Sequence, residues 1–227
     1  MKYENVVSGK FISRPNRFIA HIEIDGKEEI CHVMNTGRMK ELLLPGAEVF
    51  LCRAKNPERK TKFDLIGVRR TDGEIINIDS IAPNKVAGEY IKTLFPDAKI
   101  VKPETFFEKS RFDFYIEDNL DKIFLEVKGV TLNVDGQARF PDAPTERGTK
   151  HLYELIEAKQ KGFRACVLFV IAMKGCRSFE ANSATDPKFA KALFEAKENG
   201  VEIFAVDCKV SADGIFADKP VPVSFSE

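Results

Sequence analysis

Hydrophobic and polar residues alternate in short runs over the first third of the chain, from residue 1 to about residue 80. Alternation with a period of two is typical of strands that bury one face, and Gly, Pro and Asn residues separate the runs. The pattern predicts six strands: Val6–Ser13, Arg17–Ile24, Glu28–Met34, Glu48–Ala54, Phe63–Arg70 and Glu74–Ile78. Only Arg38–Leu44 has a helical pattern in this part of the chain.

Six short strands in so small a region favour a closed barrel, because closure removes the exposed edges of a small sheet. Asp25-Gly26 and Asp72-Gly73 are the strongest hairpin signals. The pattern therefore predicts an OB-like small β-barrel over residues 1–81, with an SH3-like barrel as the alternative.

From Ser80 onward, helical patterns alternate with strands. Ala82-Pro83-Asn84 marks the junction, since Pro83 ends the extended chain and Asn84 is a helix-capping residue type. The predicted elements are a helix over Lys85–Leu94, strands over Lys99–Val101, Arg111–Ile116 and Lys122–Lys128, a helix over Glu146–Lys161, a strand over Ala165–Met173, a helix over Pro187–Asn199 and a strand over Val201–Asp207. This order predicts a second domain, residues 82–227, with a mixed sheet flanked by helices, and hence a two-domain α/β (α+β) protein.

Composition excludes several classes of protein. The 35 basic and 35 acidic residues cancel, so the chain is not a histone-like polyanion binder. The longest apolar run, Ala165–Met173, is too short to span a membrane, and the N-terminal residues lack a secretory pattern. Five cysteines without a CxxC pair argue against a disulfide scaffold or a thiolate zinc site, and no glycine-rich nucleotide motif indicates an organic cofactor. We expect a cytoplasmic protein with no membrane partner.

Basic residues are concentrated within the predicted barrel. Nine of them, against four acidic residues, lie between Arg38 and Arg70, and Phe50 and Phe63 are interleaved with them. OB-folds grip nucleic-acid strands with such loops through charge and stacking, whereas the alternative is a solvated surface over two core phenylalanines. The residues assigned to nucleic-acid binding in the barrel are Arg38, Lys55, Arg59, Lys60 and Lys62.

A compact set of charged residues lies on two strands joined by a short turn. Asp113 is on the first strand, and Glu126-x-Lys128 places a carboxylate and an ammonium on one face of the second. If Asp113 shares that face, two carboxylates could hold Mg²⁺ or Mn²⁺ while Lys128 stabilises charge on a phosphate, which suits phosphodiester hydrolysis. The alternative is a surface ion pair without function.

The helix that begins near Thr145 carries a third group of candidates. Thr145 is a suitable cap, and a helix N-terminus with nearby cations favours a phosphate. His151, at the border of the buried face, is a candidate to contact phosphate or assist proton transfer, or else a half-buried structural histidine. The residues assigned to nucleic-acid binding in this region are Arg139, Arg147 and Lys150.

The order helix, three strands, helix, strand, with Asp113 and Glu126-x-Lys128 in it, resembles the PD-(D/E)xK, or restriction-endonuclease-like, nuclease superfamily. The resemblance implies that Asp113, Glu126, Lys128 and His151 form the catalytic group. It also implies that Glu89, on the preceding helix, joins Asp113 and Glu126 as a metal ligand. One departure is that Phe112, rather than proline, precedes the aspartate.

The whole chain resembles the sugar fermentation stimulation protein A family, through three stretches: residues 35–39 with Leu44-Pro45-Gly46, Leu125–Lys128, and Phe140–Leu152. That resemblance implies an OB-like N-terminal domain, a nuclease-like C-terminal domain, DNA binding without strong sequence preference and a link to sugar (maltose) utilisation. Three functions stay open: a metal-dependent nuclease, a catalytically inactive DNA-binding regulator on a nuclease scaffold, and a small-molecule binding protein of sugar metabolism. The strandedness of the DNA is left unassigned.

Overall fold

The N-terminal part forms a closed barrel in a computed structural model of the chain, which describes residues 1–56 and 58–225. Its strands are β1 (Val6–Asn16), β2 (Ile19–Ile24), β3 (Lys27–Val33), β4 (Glu48–Arg53), β5 (Phe63–Arg69) and β6 (Ile75–Asn77). They lie in the order β3-β2-β1-β4-β5-β6, and a parallel pairing of β3 with β5 closes the ring of five strands. The predicted OB-like barrel and all six predicted strands are confirmed.

Period-two alternation places the apolar residues of the barrel inside it. Ala20 and Ile22 on β2, and Cys31 and Val33 on β3, are fully buried, while the residues between them face outward. The β2–β3 hairpin turns at Asp25-Gly26, and both residues have positive φ, as a tight type I′ turn requires.

The helix expected over Arg38–Leu44 does not form, and this segment is a series of turns. The carbonyl oxygen of Arg38, which a helix would offer to the amide of Leu42, accepts a hydrogen bond from the Arg14 guanidinium at 3.1 Å. The Leu42 amide instead donates to Met39 at 3.2 Å. Tertiary contacts from Arg14 thus override the local helical pattern.

The rest of the chain contains, in order, α1 (Ala82–Leu94), β7 (Ile100–Phe107), β8 (Ser110–Glu117), β9 (Lys122–Val130), β10 (Leu132–Val134), β11 (Gln137–Phe140), α2 (Glu146–Gln160), β12 (Arg164–Ile171), β13 (Ser178–Ala181), α3 (Pro187–Glu198), β14 (Glu202–Ser211), β15 (Gly214–Pro220) and β16 (Val223–Ser224). The main sheet has the order β15-β14-β12-β9-β8-β7. Its centre, β9-β12-β14, is parallel and its two sides are antiparallel, so the predicted mixed sheet is confirmed.

A second, four-stranded sheet with the order β10-β11-β13-β16 was not expected from the sequence. The sequence pattern predicts no element between Lys128 and Glu146, but this segment contains the β10–β11 hairpin, which turns at Asp135-Gly136 with positive φ at both residues. The strand expected over Lys99–Val101 is also longer, and β15 was missed. The strands of the four-stranded sheet are only two to four residues long, so they have too few positions to show a period.

The helices cover both faces of the main sheet, as predicted. Leu125 and Leu168 pack in the cluster that contains the buried face of α1, whereas their chain neighbours Phe124 and Phe169 pack in the cluster that contains α2 and α3. Helix α1 begins at Ala82 rather than Lys85, so Asn84 lies in its first turn and is not its cap.

The barrel and the second domain share one apolar interior. A single cluster of buried residues contains Val68 and Ile76 of the barrel together with Val130 and Phe169 of the second domain. Backbone hydrogen bonds cross the same boundary, including one of 3.0 Å from Asn77 to Ala172.

Among the described residues, every helix is too short or too polar to cross a membrane.

Candidate functional site

Asp113 and Glu126 lie on neighbouring strands at the same level of the main sheet. The β8–β9 ladder pairs Phe114 with Leu125, so the next opposed positions are those of Asp113 and Glu126. The Asp113 side chain then takes the place of a backbone carbonyl as acceptor, since its Oδ2 accepts a hydrogen bond of 2.7 Å from the Val127 amide. Its Oδ1 accepts a second one, also 2.7 Å, from the side-chain amide of Asn84 on α1.

Glu126 is the buried centre of the site, with 3% of its surface exposed. Its Oε1 accepts hydrogen bonds from Lys128 Nζ, at 2.5 Å, and from His151 Nδ1. Its Oε2 is buried and has no hydrogen-bond partner among residues 1–56 and 58–225. An unsatisfied buried carboxylate oxygen is costly, so this atom is available to accept a hydrogen bond from water or to bind a cation.

His151, on the buried side of α2, connects Glu126 to Arg147. Arg147 Nε donates to His151 Nε2 at 3.4 Å, which assigns the proton of a neutral imidazole to Nδ1. Nδ1–H therefore donates to Glu126, and the ring is held between the two partners. The imidazole also meets the edge of Phe112, with ring centres 6.4 Å apart.

The two carboxylates differ in their electrostatic environment. Burial, and then the negative charge of Glu126, raise the pKa of Asp113 above its ordinary value. Burial alone would also raise the pKa of Glu126, but the His151 hydrogen bond and the Lys128 charge hold it below its ordinary value. Glu126 is therefore the carboxylate whose ionised form the site favours.

The structure does not bring Glu89 to the two carboxylates, which corrects that expectation. Its carboxylate is 56% exposed and pairs with the N-terminal ammonium of Met1 at 2.9 Å. Glu89 lies five residues beyond Asn84, about 1.4 helical turns, so the two side chains leave α1 on different sides. The α1 residue that reaches the site is Asn84, which we did not single out as a site residue from the sequence; its position in the first turn of the helix before the acidic strands was the available signal.

No group of three or more His, Cys, Asp or Glu side chains within the described part of the chain is arranged to hold a metal ion. Two neighbouring carboxylates, one of which has an unpartnered oxygen, nevertheless suit a hard divalent cation. Such a cation binds through one or two carboxylates and retains water. Asp113 and Glu126 are the side chains that could hold it.

The cations predicted to bind nucleic acid fall into two groups in the barrel. Arg59 makes two hydrogen bonds, of 2.8 and 2.9 Å, to Asp64, and Lys62 lies 3.9 Å from Glu29. Arg38, Lys55 and Lys60 are exposed, and their side chains have no ion-pair partner among the described residues. The second group is the one available to phosphates.

The cations predicted in the second domain are all engaged within the protein. Arg139 lies 3.3 Å from Glu180, and Lys150 lies 3.3 Å from Glu154. Arg147 contacts His151, so it orients the site instead of standing free on the helix surface.

We expect the Asp64 ion pair to make stability pH-dependent. Burial alone would raise the pKa of Asp64, but hydrogen bonds from Arg59 and His32 hold it below its ordinary value. Its stabilising contribution is therefore complete above the unfolded-state pKa, about 3.9, and is lost as the pH falls through the lower folded-state pKa. Asp64→Asn should lower the free energy of unfolding by about 1–2 kcal/mol at pH 7, and the difference should shrink as the pH falls below the unfolded-state pKa.

Urea unfolding of both proteins at several pH values measures this difference. Asp97→Asn, at an exposed position, serves as the control and should change stability by less than about 0.5 kcal/mol. A difference between Asp64→Asn and the parent protein that is constant from pH 7 to pH 3 would contradict the assignment.

The closed barrel, the mixed sheet and the buried acidic cluster define a class of two-domain proteins that join an OB domain to an α/β domain. Comparison with known proteins identifies the family. The model described as "SfsA N-terminal OB domain" matches residues 12–78, and the model described as "Sugar fermentation stimulation protein RE domain" matches residues 81–214. The chain belongs to the sugar fermentation stimulation protein family, which confirms the resemblance seen in the sequence.

Relatives and a solved structure match almost the whole chain. The chain is 57% identical to the sugar fermentation stimulation protein homolog of Clostridium beijerinckii, over 95% of this chain and 96% of that protein. It is 54% identical to the homolog of Desulfitobacterium hafniense over the full length of both. A structure described as Pyrococcus furiosus SfsA in complex with Ca²⁺ has a TM-score of 0.89 and 32% identity, and covers 99% of this chain and 98% of its own.

Proposed function

We propose that this protein binds DNA largely without sequence preference and hydrolyses phosphodiester bonds at Asp113, Glu126, Lys128 and His151 with Mg²⁺ or Mn²⁺. The observation that carries the proposal is the buried, unpartnered Oε2 of Glu126 beside a second carboxylate. The family name, sugar fermentation stimulation protein, supports a role for this activity in sugar utilisation.

The relative from Pyrococcus furiosus supports a metal role, because its structure is described as a complex with Ca²⁺. Ca²⁺ and Mg²⁺ are both hard cations that take oxygen ligands. Asp113 and Glu126 would hold the ion here. When bound, it supplies charge neutralisation at a phosphate and lowers the pKa of a coordinated water.

The remaining side chains orient this pair and add positive charge. The Val127 amide and Asn84 fix Asp113 through hydrogen bonds. His151 fixes Glu126 through a hydrogen bond to Oε1. The Lys128 ammonium stands on the same face as Glu126, where it can stabilise negative charge on phosphoryl oxygens as a bond breaks.

A second candidate is a catalytically inactive DNA-binding regulator. One observation favours it: Lys128 is tied to Glu126 by an ion pair of 2.5 Å, so the ammonium has a partner without any phosphate. The two candidates share DNA binding and differ in turnover.

Incubation of the purified protein with plasmid and single-stranded DNA separates them. We expect cleavage in Mg²⁺ or Mn²⁺ that EDTA abolishes. Binding, measured by fluorescence anisotropy in EDTA, should weaken by about 20–40-fold from 50 to 200 mM salt if about three phosphates contact Arg38, Lys55 and Lys60, since contacts to phosphates release counterions. Salt-sensitive binding without any metal-dependent product would favour the inactive regulator, and binding that salt does not change would contradict both.

A further inference from the structure

A cleft of about 350 Å³ separates the barrel from the second domain beside the candidate site. The barrel contributes Arg17 and Thr36, and the second domain contributes Gly129, Arg139 and Thr145. Gly129 directly follows Lys128 in β9, and Thr145 caps the helix that carries Arg147 and His151. The cleft therefore adjoins β9 and α2, the strand and the helix that carry Glu126 and His151.

The barrel wall of this cleft is held in a fixed conformation. The Arg14 guanidinium donates to the carbonyl oxygens of Asn35, Gly37 and Arg38, and also to that of Arg17, at 2.8–3.1 Å. Three of these bonds tie carbonyls of the loop 35–38 to one planar group, so the loop is ordered before any ligand arrives.

The two walls are also joined to each other. The Arg38 amide donates to Asp142 Oδ2 at 2.9 Å, which uses one oxygen of the carboxylate facing the cleft. Gly37 allows this approach, because a Cβ there would stand 2.5 Å from the same oxygen. The width of the cleft is therefore set by a direct contact between the domains.

The lining suits a nucleotide, which has an apolar base and an anionic phosphate. Leu132 and Phe140 supply the apolar part, and aromatic rings are stacking platforms for bases. Arg17, in the lining, and Arg38, which follows Gly37, are exposed cations whose side chains lack ion-pair partners within the described ranges.

The cleft is too small to enclose a duplex, because its volume of about 350 Å³ is that of a pocket for a small ligand. Glu126 and His151 are buried and do not themselves line the cleft, which adjoins their strand and helix at Gly129 and Thr145.

We infer that the cleft between loop 35–38 and segment 139–145 binds one unpaired nucleotide, so that the substrate of the adjoining site is single-stranded nucleic acid or a single-stranded end. This inference rests on the proposed function and narrows it to one class of substrate.

The test is fluorescence anisotropy with labelled oligonucleotides: a single strand, a blunt duplex of the same sequence, and that duplex with a single-stranded overhang. The protein is measured with Ca²⁺ and with EDTA. Thr36→Trp fills the cleft from an exposed position, and Thr93→Trp, at an exposed position on α1, is the matched control.

We expect the single strand and the overhang to bind at least tenfold tighter than the blunt duplex. Thr36→Trp should weaken binding of the single strand about tenfold, or about 1.4 kcal/mol, and Thr93→Trp should not. Equal or tighter binding of the blunt duplex, or an unchanged single-strand affinity in Thr36→Trp, overturns the inference while DNA binding itself stands. Binding of none of the three oligonucleotides overturns the proposed function as well.

Discussion

Glu126→Gln is expected to abolish metal-dependent cleavage, with a loss of about 10³-fold or more in rate. Glutamine keeps the shape of the side chain but removes the negative charge that Lys128 and His151 both contact. It also replaces one carboxylate oxygen with an amide nitrogen, which is a hydrogen-bond donor and does not ligate a hard cation. The loss of Ca²⁺ binding, measured by calorimetry without DNA, should accompany the loss of cleavage.

Glu117→Gln is the matched control for this substitution. Glu117 is on β8, four residues beyond Asp113, and its carboxylate accepts a hydrogen bond from Tyr115 instead of joining the cluster. The control should retain both cleavage and Ca²⁺ binding. A Glu126→Gln protein that binds Ca²⁺ and cleaves DNA like its parent would remove Glu126 from the reaction.

Phe169→Ala is expected to lower the free energy of unfolding by about 3–5 kcal/mol, because it removes a large buried ring and leaves a cavity. Phe169 is on β12, at the centre of the main sheet, and is fully buried. Its ring stacks on Phe179 with centres 4.0 Å apart and meets the edge of Phe189 at 6.5 Å. Urea unfolding followed by circular dichroism measures the change.

Phe106→Ala supplies the comparison, since Phe106 is 66% exposed on the edge strand β7. Its removal should cost less than about 1 kcal/mol. Equal effects of the two substitutions would show that the Phe169 cluster is not the centre of the core.

The barrel was predictable from the sequence because its strands are long enough to show alternation. β2 and β3 run for six and seven residues with one face buried, and a glycine turn joins them. The four-stranded sheet was not predictable, because its strands are two to four residues long and two of its pairings join distant parts of the chain in parallel. The Arg38–Leu44 segment has a helical pattern, but contacts from Arg14 decide its conformation.

The proximity of Asp113 and Glu126 could be predicted for a related reason. A short turn joins their strands, so the register of one hairpin is enough to place them side by side. Whether Asn84 or Glu89 reaches the site depends on how α1 docks on the sheet. Pro83 packs so closely on Gly129 that a Cβ there would stand 2.6 Å from its ring, and this contact turns Asn84 toward Asp113. The periodicity of the sequence does not predict how α1 docks.

The shared interior of the two domains has an evolutionary consequence. A module that is exchanged between proteins must keep its own apolar surface covered when it leaves its neighbour. Here Val68 and Ile76 of the barrel pack in the same cluster as Val130 of the α/β half, so separation would expose both sides to water. We therefore expect the two halves to be inherited as one piece, and recombinant fragments cut near residue 81 to aggregate instead of yielding an isolated barrel.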